Sequence, residues 1–121
     1  MSMFVDTLII FLHALVAWVL VEVFVNNAYR LSRPQYVFFH YVSVVAAFAI
    51  AFFVYFQFFA AGWAVFFVTM TALGFVLLLE IIVFGYLYSG DRWFLNFADW
   101  IFPMFLATST IYLMGVLLAG R

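Results

Sequence analysis

Apolar residues run through this chain in long blocks separated by short polar breaks, without the two-residue alternation that marks strands. Four blocks, 4–27, 36–60, 63–88 and 98–119, reach the length of about 20 residues that a helix needs to cross a bilayer core. Lipid offers the backbone no hydrogen-bond partner, so only helices or closed barrels span it, and unbroken apolar runs favour helices. The pattern predicts an all-α integral membrane protein with a single membrane domain, 1–121. Its four antiparallel transmembrane helices are expected as an up-down bundle or a pair of hairpins.

The polar breaks set the turns. Asn26, Asn27, Arg30, Ser32, Arg33 and Pro34 close the first block, with the proline restarting the chain and the arginines anchoring at headgroups. The link 60–63 is short enough to predict that the second and third helices are neighbours in an antiparallel hairpin. In 89–97, Asp91 is a candidate N-cap. Trp93 and Trp100 share one helical face, which predicts a short interfacial helix before Pro103. Trp63, Trp93, Trp100, Arg30, Arg33 and Arg92 are the expected interface anchors. Arg30, Arg33 and Arg92 fall on the side of the first and third loops, against Arg121 alone on the other. The positive-inside rule therefore predicts both termini outside, periplasmic or equivalent, and the first and third loops inside. The first block carries Asp6 in place of a basic leader, and it reads as a retained spanning helix.

Composition narrows the function classes. A chain that is 72% hydrophobic and 7% charged, with 19 phenylalanines, has more apolar side chain than a soluble core of this size can hide. The absence of cysteine excludes thiolate catalysis, disulfides and thiol-based metal sites. With no lysine and a net charge of -1, no nucleic-acid partner is expected. Short loops and the absence of HExxH, GxSxG, CxxC or a phosphate-binding glycine loop argue against catalytic activity of its own. The expected partners are the lipid bilayer, with bound lipid, and other membrane subunits or copies of itself. No cofactor is required. A haem or divalent metal held between subunits is the alternative, because His13 and His40 should differ by roughly 10 Å in depth within one chain. Ser43, Ala47 and Ala51, spaced four apart, predict a close helix contact, and Gly115 with Ala119 predicts another; Gly74 and Gly85 serve packing or bending.

The ionisable residues carry the chemistry. With antiparallel order and a rise of about 1.5 Å per residue, Glu22, His40, Glu80 and Asp99 fall within roughly 5 Å of one level, one from each helix. Carboxylates and an imidazole facing one another in low dielectric resist joint ionisation. Together they would hold a proton at neutral pH or a hard divalent cation. Glu80 is expected to be buried, and either neutral, wetted by a cavity, or paired with His40, Arg30 or a partner's cation. Against the cluster, Glu22 can snorkel or pair with an arginine, and Asp99 can serve as an interfacial cap. His13 is expected to hydrogen-bond another helix. Two classes follow. The dense phenylalanines of 48–67 favour an accessory or structural subunit of a larger membrane complex. The alternative is a small oligomeric proton- or cation-coupled transporter or channel using Glu22, His40, Glu80 and Asp99.

Overall fold

With few polar side chains available as partners, the backbone satisfies itself in helices, and no strand occurs among the described residues. The structure, a computed structural model, describes residues 3–60, 62–87 and 96–119. Helix α1 is Met3–Asn27. Helix α2, Arg33–Val54, continues through Tyr55–Phe59 with wider π-type hydrogen bonding. Helix α3, Val65–Glu80, continues likewise through Ile81–Leu87, and α4, Phe102–Ala119, follows a π turn at Phe97–Ile101. These make four helices long and apolar enough to cross a membrane.

Local chemistry sets the helix starts. Helix α2 begins at Arg33, ahead of the expected 36, because Ser32 and Gln35 form a capping box. The Ser32 amide donates to Gln35 Oε1 at 3.1 Å, and the Gln35 amide donates to Ser32 Oγ at 3.4 Å. Pro34 then occupies the first turn, where its missing N–H costs nothing. Asn96 caps the run into α4, its Oδ1 accepting from the Asp99 amide at 2.9 Å. The expected cap Asp91, the anchors Trp93 and Arg92, Arg121 and the Ala119 side chain lie outside the described residues.

The helices close a ring in which α1 and α4 each pack on both α2 and α3. Helices α2 and α3 therefore sit across the ring from one another, which corrects the expectation that the short link makes them neighbours. The link permits the crossing. Ala60 and Ala64 are extended, and Gly62 supplies the turn at φ 83°, a left-handed conformation that side chains disfavour. A five-residue stretch can span at most about 16 Å, whereas the diagonal of a ring packed at 8–10 Å is about 11–14 Å. Packing decides. Ala14 and Ala17 of α1, Ala47 and Ala51 of α2, Ala72 of α3 and Ala107 of α4 are all buried in one core, where small side chains let helices approach. Ser43, the third member of the expected stripe, is half-buried and donates to its own helix at His40 O, 2.7 Å away. Gly74 has open space around it, so it serves no close contact.

The outer surface along the helices is mostly apolar. Phe67 is 63%, Phe105 66% and Leu117 76% exposed, and every helix carries such residues outward. Water does not tolerate a surface of this kind on a monomer, and lipid does, which points to a membrane location. The phenylalanine-rich 48–67 segment is divided: Phe48, Phe52 and Phe56 enter the core, while Phe53, Phe58, Phe66 and Phe67 face out.

Candidate functional site

Polar side chains collect at the end of the ring where α2 and α4 begin. Arg33 forks onto Asp99, with Nη1 donating to Oδ1 at 2.7 Å and Nη2 to Oδ2 at 2.8 Å. Asn96 Nδ2 donates to the same carboxylate at 2.8 Å. Tyr41 adds a second tie, donating from its hydroxyl to Ala98 O at 2.7 Å while its ring meets Phe102. Arg33, expected as a headgroup anchor, thus fastens α2 to α4. Asp99 is neutralised by it, which removes Asp99 from the set of free carboxylates.

Above this clasp lies a cavity of about 240 Å³ whose lining includes Glu22, His40, Glu80 and Asp99, drawn from α1, α2, α3 and the turn before α4. The lining follows from helical spacing. Trp18 stands four residues before Glu22, Tyr36 four before His40, Val76 and Phe84 four to either side of Glu80, and Trp100 four before Met104; all of these line the cavity. Its polar groups thus sit in an aromatic wall. In the sequence Trp100 reads only as an interface anchor, and Trp18, Tyr36 and Phe84 have no assigned role, although these three stand four residues from Glu22, His40 and Glu80 respectively.

Each ionisable group has a distinct environment. Glu80 lines the cavity, one of its expected settings, and its Oε1 accepts from Trp18 Nε1 at 3.2 Å, while neither His40 nor Arg30 bonds it. Arg30 instead lies over the Tyr29 ring, 5.7 Å from its centroid. Glu22 lines the same cavity as Glu80, and its carboxylate has no hydrogen-bond donor among the described residues. Asn26 Nδ2 donates to the Glu22 carbonyl, at 2.9 Å, and not to its carboxylate. His40 is buried, with its ring stacked on Phe24 and flanked by Tyr36 and Tyr41, and its Nδ1 has no partner among the described residues.

His13 stands apart. Its Nδ1–H donates to Ile9 O of its own helix at 2.8 Å, which corrects the expected bond to another helix. Its ring packs on Phe52, Tyr55 and Phe59. Tyr55 is fifteen residues beyond His40 on α2, so the two histidines lie roughly 20 Å apart along the bundle. Trp63 is half-buried against the core at that far end. No three His, Asp or Glu side chains among the described residues converge closely enough to hold one metal ion.

Beside the cavity, an apolar groove of about 380 Å³ runs between α3 and α4, lined by Leu73, Leu77, Ile101, Phe105 and Thr108. Trp100 and Met104 belong to both linings. Thr108 Oγ1 donates to Met104 O at 2.9 Å, so its hydroxyl is spent within its own helix. No protein-family model, curated protein or solved structure matches the chain, and its function has to be argued from the cavity.

Proposed function

We propose that this chain is an integral membrane protein of four antiparallel helices that binds a proton or a monovalent cation at Glu22 and Glu80, and that it works as a small oligomeric, cation-coupled transporter. One observation carries the reading: two carboxylates share an aromatic-walled cavity, and among the described residues no cationic side chain pairs with either. A carboxyl group at low dielectric without a cation beside it lowers its free energy by taking a proton or by recruiting a cation. The two occupants compete for one site, which is the thermodynamic basis of coupled exchange. Four helices barely enclose a path, so more than one copy is needed to gate it.

The contacts between helices support the antiparallel order. Phe24 meets Tyr36 and His40 while His13 meets Tyr55 and Phe59, so α1 and α2 run in opposite senses. Phe11 meets Phe75 and Trp18 meets Phe84, so α1 and α3 run in the same sense. Arginine placement favours both termini outside. Single cysteines at Ser32→Cys and Ala60→Cys should react with membrane-impermeant reagent from opposite sides of sealed vesicles. Reaction of both from one side refutes this topology.

Glu80→Gln and Glu22→Gln preserve shape while removing the charge. In vesicles, each should reduce proton movement driven by a sodium, potassium or methylammonium gradient by roughly tenfold or more, with the purified particle intact. Glu80→Leu should also lower yield, because it strands the Trp18 N–H at a cost of about 1–3 kcal/mol. Undiminished flux in both glutamine variants would remove the reading. The exposed Phe53, Phe58, Phe66 and Phe67 favour a second reading, an accessory subunit docked through this face. Photoreactive side chains at Phe53 and Phe67 would then crosslink to a different polypeptide, and adducts with lipid or self alone count against it.

A further inference from the structure

We infer that the occupant of the cavity is a protonated organic amine with an apolar tail, its N–H donors turned toward Glu22, Glu80 and His40 and its tail lying in the groove between α3 and α4. This rests on the cation-binding reading and narrows it to a ligand class.

The chemistry of the cavity selects the head group. Glu22 and Glu80 are acceptors, and the buried His40 presents an Nδ1 with no partner among the described residues. A buried polar nitrogen left unpaired is costly, and a ligand N–H would relieve it, with the histidine carrying its proton on Nε2. The acceptors do not close on one point, as a bare metal ion requires. They stand around about 240 Å³, which suits a polyatomic cation. Trp18 places an aromatic ring in the cavity wall, and such rings attract organic cations.

The groove selects the rest of the molecule. It is apolar, it opens on the outer face between α3 and α4, and it shares Trp100 and Met104 with the cavity lining. An amine already dissolved in the bilayer would leave its tail in this groove and turn only its head inward. The head trades interfacial water for the carboxylates, and the tail never crosses water.

The test is saturable binding of radiolabelled decylamine to the full chain in lipid nanodiscs, compared at equal membrane concentrations. Unlabelled decylamine should displace it, decyltrimethylammonium, which lacks N–H, should be roughly tenfold weaker, and uncharged decanol should not compete. The Glu22→Gln, Glu80→Gln double variant should bind roughly tenfold or more weakly. His40→Phe should keep binding but lose the preference for decylamine over decyltrimethylammonium. Leu77→Trp should weaken decylamine and spare butylamine. Equal competition by decanol, or binding that never saturates because the cavity holds only water, overturns the proposal on the unaltered protein without recourse to any variant. If binding never saturates while the glutamine variants still abolish gradient-driven proton movement, the coupled carboxylates stand and the amine falls. If neither depends on the carboxylates, both fall together.

Discussion

Arg33→Met should loosen the protein far more than Asp99→Asn, although the two remove opposite ends of one ion pair. The Asp99 side chain is 2% exposed and that of Arg33 53%. Deleting the arginine strands a buried carboxylate whose remaining side-chain partner is Asn96. Breaking a buried pair in this way costs about 3–5 kcal/mol, and we expect the lower part of that range because Arg33 is half screened. Deleting the charge from Asp99 leaves Arg33 able to turn toward headgroups or water, and the asparagine oxygen still accepts a bond, so the cost is about 1 kcal/mol. Arg33→Lys should fall between them, since a lysine cannot reproduce the two-pronged contact. Thermal unfolding of the three variants in one detergent decides the matter. Equal melting of Arg33→Met and Asp99→Asn would mean that Asp99 is wetted in the folded protein and that the clasp between α2 and α4 contributes little.

How far the sequence could be read depends on which interactions are local. The apolar blocks predicted four helices because hydrophobic length needs no partner, and the four apolar helices are present. Glu22, His40, Glu80 and Asp99 could be placed at one level by counting rise per residue, and they line one cavity. Depth, however, is one coordinate of three. It says nothing of azimuth, so it could not assign Arg33 to Asp99, Trp18 to Glu80 or His13 to its own backbone. The ring order failed for a related reason. The length of the link 60–63 predicts neighbours, whereas the burial of alanines on four helices sets which faces meet, and the link only has to reach. The capping box at Ser32 and Gln35 is different in kind, since it is a local interaction whose three-residue spacing is visible in the sequence.

Gly115 has the least room of the described glycines, and substitution there should produce the second large effect. A methyl group at this position would collide with both Val65 methyls and would lie 2.8 Å from Phe56 Cζ. Val65 is 1% exposed and branched at Cβ, so it has little rotamer freedom with which to yield, and Phe56 is buried beside it. Helix α4 must therefore move away from the start of α3 and the end of α2. Overpacking of this sort costs about 1–3 kcal/mol, offset by up to about 1 kcal/mol because alanine is the better helix former. Gly115→Ala should thus destabilise modestly, and Gly115→Val by about 3 kcal/mol, where the added methyls outweigh any gain in helix propensity. Gly74→Ala is the control. No atom lies within 4 Å of its added methyl, so it should be neutral or slightly stabilising. The specific cause is tested by rescue: Val65→Ala costs stability alone, yet combined with Gly115→Ala it should recover about 1 kcal/mol relative to the sum of the two. Additive losses would show that Gly115 is required for something other than room against Val65, and a parent-like melt for Gly115→Val would show that α4 does not come this close to α2 and α3.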